Sequence, residues 1–207
     1  TGTTGVTNGG IVFGVNNALP IGTLTIGNNA GPVTAFVDLN GFNWTSGAIT
    51  FYGTSGGVSS QASLNIGNGG TLTLGGTVTT ATNTTVANSA LPAFITGGTL
   101  DLGSASRSFA IADSPNAAVD LTVTSAITSA QGAFGITKTG AGTLLLTGAN
   151  TYTGTTTVNG TGGVLALGGA GTLGATTAAL TMTAGTLDLN GTSQTVGNLS
   201  GTAAGTI

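Results

Sequence analysis

Histidine, cysteine and glutamate are absent from the 207 residues, and only 3% of the chain is charged, against roughly 25% in ordinary soluble proteins. Without cysteine there is no disulfide scaffold. Without histidine or glutamate, acid–base chemistry is left to five carboxylates, Asp38, Asp101, Asp113, Asp120 and Asp188, with Arg107 and Lys138 as the only cations. A net charge of −3 and two scattered bases cannot neutralise a phosphate backbone, so nucleic acid is excluded as a partner. No apolar run approaches the roughly 18 residues of a membrane helix. The chain opens at Thr1 with neither a basic stretch nor an apolar segment, so no secretory signal is read. It stops at Gly205-Thr206-Ile207 in mid-pattern. Both ends read as those of a processed product or a piece of something longer.

Helix formers are scarce as well. Thr, Gly, Asn and Ser dominate, and no apolar face of helical period can be traced. Disorder is nevertheless the wrong reading, because 39% of residues are hydrophobic and fall in short alternating clusters of the kind that form strands. The 39 glycines follow no three-residue period, which excludes collagen.

One phrase recurs: Gly, Thr or a substitute, apolar, any residue, apolar, then Gly or Asn. It appears as Gly22-Thr23-Leu24-Thr25-Ile26-Gly27, Gly70-Thr71-Leu72-Thr73-Leu74-Gly75, Gly98-Thr99-Leu100-Asp101-Leu102-Gly103, Gly142-Thr143-Leu144-Leu145-Leu146, Gly163-Val164-Leu165-Ala166-Leu167-Gly168 and Gly185-Thr186-Leu187-Asp188-Leu189-Asn190. With the looser Ile49-Thr50-Phe51 and Leu121-Thr122-Val123, the first apolar positions are 24, 49, 72, 100, 121, 144, 165 and 187. Steps of about 21–28 residues indicate a solenoid. The expected fold is all-β, a parallel β-helix of roughly nine coils, about 45 Å long at the strand spacing, continuous over residues 1–207. Asn88-Ser89-Ala90-Leu91-Pro92 reads as a loop insertion, and Val37-Asp38-Leu39 as the second strand of its coil. Alternation points Leu100 and Leu102 inward and Thr99 and Asp101 outward. Gly and Asn serve the corners.

Residues 135–168 carry a more specific signature. Gly135-Ile136-Thr137-Lys138-Thr139-Gly140-Ala141-Gly142-Thr143-Leu144-Leu145-Leu146 continues into Thr147-Gly148-Ala149-Asn150-Thr151-Tyr152-Thr153-Gly154-Thr155-Thr156-Thr157-Val158-Asn159. In its order of Lys, paired Gly, Leu, Asn, Tyr and Gly it resembles the passenger-associated transport repeat, also called the autotransporter-associated β-strand repeat. Residues 185–201 resemble, more loosely, the strand pair that commonly follows it. Gly160-Thr161-Gly162-Gly163 departs from the usual corner. The resemblance implies a right-handed β-helix in a secreted or surface-displayed protein, often an autotransporter passenger of a Gram-negative bacterium.

No catalytic, cofactor-binding or metal-binding residue is assigned. Asp101 and Asp188 occupy equivalent places in the phrase but on the order of 19 Å apart along the stack, whereas glycosidase carboxylates stand about 5–9.5 Å apart. Asp113 and Asp120 could fall near Asp101. Five scattered carboxylates do not supply the six to eight oxygens of a calcium site. Lys138 shares parity with Ile136, and the expectation is that Gly140 turns the chain and lets its ammonium reach water. Asn150 and Tyr152 are expected to form a corner hydrogen-bonding pair. Thr23/Thr25, Thr71/Thr73, Thr122/Thr124 and Thr181/Thr183 carry the spacing of an ice-binding ladder, interrupted in the phrase by Asp101, Ala166 and Asp188. Neither end shows a charged cap, so either the chain continues or copies stack end to end. The expected role is structural or adhesive, as part of a passenger or a filament subunit. The alternatives are a carbohydrate-active β-helix enzyme and a Thr-ladder surface.

Overall fold

The structure, a computed structural model, describes residues 2–28, 34–52, 61–81, 92–114, 117–202 and 204–207. Among them there is no helix, and every strand pairing is parallel. The protein is a parallel β-solenoid. Its first face stacks β1 (Thr3–Val6), β3 (Thr23–Ile26), β6 (Ile49–Tyr52), β9 (Val78–Ala81), β12 (Arg107–Ile111), β15 (Ile136–Thr139), the start of β17 (Thr156–Leu167), the start of β18 (Ala179–Asp188) and β19 (Asn198–Gly201). Its second face stacks β2 (Gly9–Val12), β4 (Ala35–Asp38), β7 (Ala62–Asn65), β10 (Ala93–Thr96), β13 (Leu121–Val123), β16 (Thr143–Leu146), the ends of β17 and β18, and β20 (Gly205–Thr206). A third, shorter face holds β5 (Trp44–Ser46), β8 (Thr71–Leu74), β11 (Thr99–Asp101) and β14 (Ala126–Thr128). The two long faces each carry nine rungs. Val37-Asp38 lies on β4, the second strand of its coil.

Alternation decides which side chains are buried. On β16, Leu144 and Leu146 are fully buried while Leu145 is half-exposed. Parallel register places like over like, so Leu121, Leu144, Leu165 and Leu187 form one continuous interior column. Gly140 shows why the corners are glycine. Its φ is +78°, and a Cβ there would lie 2.3 Å from the Ile111 carbonyl oxygen of the coil beneath.

The recurring phrase is not one position in the coil. Leu24 and Ile49 pair on the first face, Leu72 and Leu100 on the third, and Leu121 to Leu187 on the second. Any strand of such a coil needs the same turn–Thr–apolar–polar–apolar pattern, so the phrase marks strands and drifts from face to face. True coil lengths vary more than the phrase spacing. Val78 lies opposite Phe109, 31 positions on, whereas Met182 lies opposite Gly201, 19 positions on.

The shortening has a structural cause. The third face ends at β14, and later coils close that side without a strand. Ile127 N donates to Asn150 Oδ1 at 2.9 Å, and Asn150 Nδ2 donates to the Thr172 carbonyl at 2.7 Å. Residues 88–91 of the expected insertion lie outside the described residues.

Parity gives a direct test. Leu144→Ala should cost roughly 2–5 kcal/mol as a core truncation. Its neighbour Leu145→Ala should stay within about 1 kcal/mol, as for surface changes. Urea unfolding midpoints of the two variants would show this, and equal losses would contradict the register.

Candidate functional site

The five carboxylates do not converge. Asp101, on the third face, is buried at 5% exposure rather than solvated. Its Oδ1 accepts Gly103 N at 2.8 Å, and its Oδ2 accepts Thr128 Oγ1 at 2.9 Å and Ala130 N at 2.8 Å. The nearby Arg107, whose Nε donates to the Leu102 carbonyl at 2.7 Å, adds an opposite charge. Asp188 is on the second face, where Ala166 is its partner, and its Oδ1 accepts Asn190 N at 2.8 Å. Asp38 makes the same two-residue turn with Asn40 N at 2.7 Å. These three carboxylates hold corners, and they stand on more than one face.

Asp120 does not join Asp101. Its Oδ1 accepts Ser114 N at 2.8 Å, and its Oδ2 accepts Thr143 N of the next coil at 2.7 Å. Burial pushes its carboxyl above the ordinary range, while those two amides pull the other way. Asp113 is exposed and acts on Asp120 as a like charge. Among the described residues no group of three or more His, Cys, Asp or Glu side chains could hold a metal ion.

Lys138 corrects the expectation of a solvated ammonium. It is fully buried, stacked between Phe109 and Val158 of the neighbouring rungs. Its Nζ folds back on its own corner, donating to the Gly140 carbonyl at 2.8 Å and the Thr139 carbonyl at 3.1 Å. The looser glycine corner now has a reason. A Cβ on Gly163 would stand 2.7 Å from that Nζ and 2.1 Å from the Gly140 oxygen. Burial pulls the ammonium down to about 8, with Asp120 opposing.

Asn150 and Tyr152 both serve the corner, but through separate partners. Asn150 replaces the missing third strand, as described above. Tyr152 is fully buried, and its hydroxyl lies 2.6 Å from Thr156 Oγ1. Burial raises its phenol well above the usual range. Gly174 leaves room for the ring, since a Cβ there would come within 2.8 Å of it. Gln194 was missed by sequence reasoning. One coil on, its Oε1 accepts Leu173 N at 3.1 Å and its Nε2 donates to the Gly171 carbonyl at 3.2 Å. A signal existed: amides stand at inter-coil corners elsewhere too, Asn16 accepting from Asn43 N and Asn43 from Thr71 N.

The coil that begins at Lys138's strand is therefore compact, with two strands and an amide-closed third side. Residues 136–167 match the family model of the passenger-associated-transport-repeat. The match covers β15, β16 and β17, and so includes the buried lysine, Asn150 and Tyr152. The stretch 185–201 lies outside it. No curated protein and no solved structure matches the chain. Within the repeat every polar side chain described above bonds to backbone or to a neighbouring coil, which is an arrangement for holding a stack together.

The buried lysine predicts a pH dependence. Its folded value of about 8 lies below the ordinary 10.5, so the unfolded chain binds the extra proton between those values. Stability therefore rises with pH across that window and is flat in this respect below it. Urea midpoints of the wild type should climb from pH 8 to 10 relative to Lys138→Met. A constant difference between the two would show that Lys138 keeps its charge in the fold.

Proposed function

We propose that the chain is an extracellular structural or adhesive rod, a segment of an autotransporter-like passenger whose stack is extended by further coils. The observation that carries this reading is the family repeat at 136–167 lying in register within an uninterrupted parallel ladder. We read that repeat as an element of a passenger's structural region rather than of an enzyme. Asp101, Asp120 and Asp188 are each held by backbone amides at separate corners, which favours the same reading over glycoside hydrolysis, where two carboxylates face one bond. Among the described residues no helix is long and apolar enough to cross a membrane.

A second copy stacked end to end would meet open strand edges at the outermost described rungs. β1 bonds only β3 and β2 only β4, while β19 and β20 bond only β18. Each outermost rung thus presents an unpaired strand edge, which natural sheets ordinarily block with charge, Pro or bulges. At the last rung, Leu180, Leu187, Leu189, Val196, Leu199 and Ile207 line an open apolar hollow of about 140 Å³, and Leu199 and Ile207 are more than half exposed. The next coil, from the same chain or from a second copy, covers that hollow and continues the ladder.

Three measurements test this. Placed between a secretion signal and an outer-membrane translocator barrel in a Gram-negative host, the segment should be displayed, with an N-terminal tag reachable by antibody on intact cells. Retention in the periplasm would sink the passenger reading. Electron microscopy of the purified chain should show rods that lengthen with concentration, and Leu199→Lys should shorten them. Short rods of one length at every concentration would limit extension to the same chain. On display, Lys138 should resist trypsin, since its strand is buried and bonded on both sides.

A further inference from the structure

The structure sorts the threonines in a way the sequence conceals. Asp101, Ala166 and Asp188, which interrupt the Thr pattern in the phrase, stand on the second and third faces. The outward positions of the first face carry no charge. There Ser108, Thr137, Thr157, Thr181 and Ser200 stand in register on five successive rungs. On the three rungs before this column, two residues further along each strand, Thr25, Thr50 and Thr79 stand in register, and on β15 Thr139 stands beside Thr137. Ala110 and Asn159 interrupt the second column. These residues are half-buried, Ser200 exposed, and the hydroxyls of Thr137 and Thr157 have no hydrogen-bond partner among the described residues. Thr181 Oγ1 and Ser200 Oγ lie 3.1 Å apart.

We infer that this face binds a crystalline water surface. The solenoid fixes the hydroxyl columns at about 4.8 Å between rungs and about 6.7 Å along each strand. A rigid grid gains additively only from a partner that repeats at both spacings, and the oxygens on the prism faces of ice repeat close to them. The surface chemistry agrees. Ice is uncharged, and a charged face would hold its own hydration too tightly to exchange it for a lattice. Each Thr offers a methyl that packs and a hydroxyl that donates and accepts. A crystalline polysaccharide is the less favoured occupant, because sugars stack on aromatic rings and Tyr52 is the one outward aromatic on the described strands of this face. This inference is independent of the passenger reading, and display experiments do not bear on it.

The test is growth of ice grains in annealed films containing the purified chain. The wild type should arrest grain growth. A Thr137→Lys/Thr157→Lys variant should need at least about tenfold more protein, because contacts of a rigid array act together in one binding event. Thr122→Lys, on the second face, should behave as wild type. Thr137→Val/Thr157→Val keeps the shape without the hydroxyls and guards against misfolding, which circular dichroism would reveal; it should lose part of the effect. The inference is overturned if the wild type leaves grain growth unchanged, if the first-face and second-face lysine variants behave alike, or if the chain is retained by crystalline cellulose or chitin while ice is unaffected.

Discussion

The structure depends on one constraint: each coil satisfies its backbone by hydrogen-bonding in parallel to the coils above and below. Rung spacing is then common to the whole stack, and every side chain sits over one of the same parity. That is why Leu121, Leu144, Leu165 and Leu187 make a column, and why a corner such as Gly140 tolerates no Cβ above Ile111. Stability in such an array is a sum over neighbouring coils. A defect in one rung is therefore felt mainly by the two beside it.

The same constraint governs the polar interior. A side chain of inward parity must be buried whatever its chemistry. Lys138 occupies such a position, between Phe109 and Val158 of the neighbouring rungs, and is fully buried. Its ammonium is accommodated by two carbonyls of its own corner. Asp101 and Asp120 are buried at corners and saturated by backbone amides. Unpaired, such groups would cost several kcal/mol; paired, they pin one coil to the next.

Where the third face runs out, side chains take over the role of a strand. Asn150 bridges the coil below and the coil above, and Gln194 bonds twice to the coil below it. Tyr152 fills the interior on the side that has lost its strand. The segment that matches the family repeat is this compact form of coil, closed by Asn150 and filled by Tyr152. The long first half of the chain, with its third sheet, resembles the repeat in style because the same strand pattern serves both forms.

Much of this was legible in the chain itself. Alternation of Leu and Thr, glycine corners and a period above twenty residues determined a parallel β-solenoid of about nine coils, and the order from Lys138 to Tyr152 determined the family repeat. These are local signals, since two-residue parity and turn chemistry act within a few positions. The assignment of strands to faces was decided by tertiary structure alone. Leu24, Leu72 and Leu144 each follow Gly-Thr in the same phrase and stand on three different faces, because coil length, not phrase, sets the register. The same holds for Asp101, read as outward and found buried, and for Lys138, whose surroundings come from residues 20 or more positions away. The hydroxyl columns of the first face exist only once the coils are stacked, because each is assembled from single residues of successive coils.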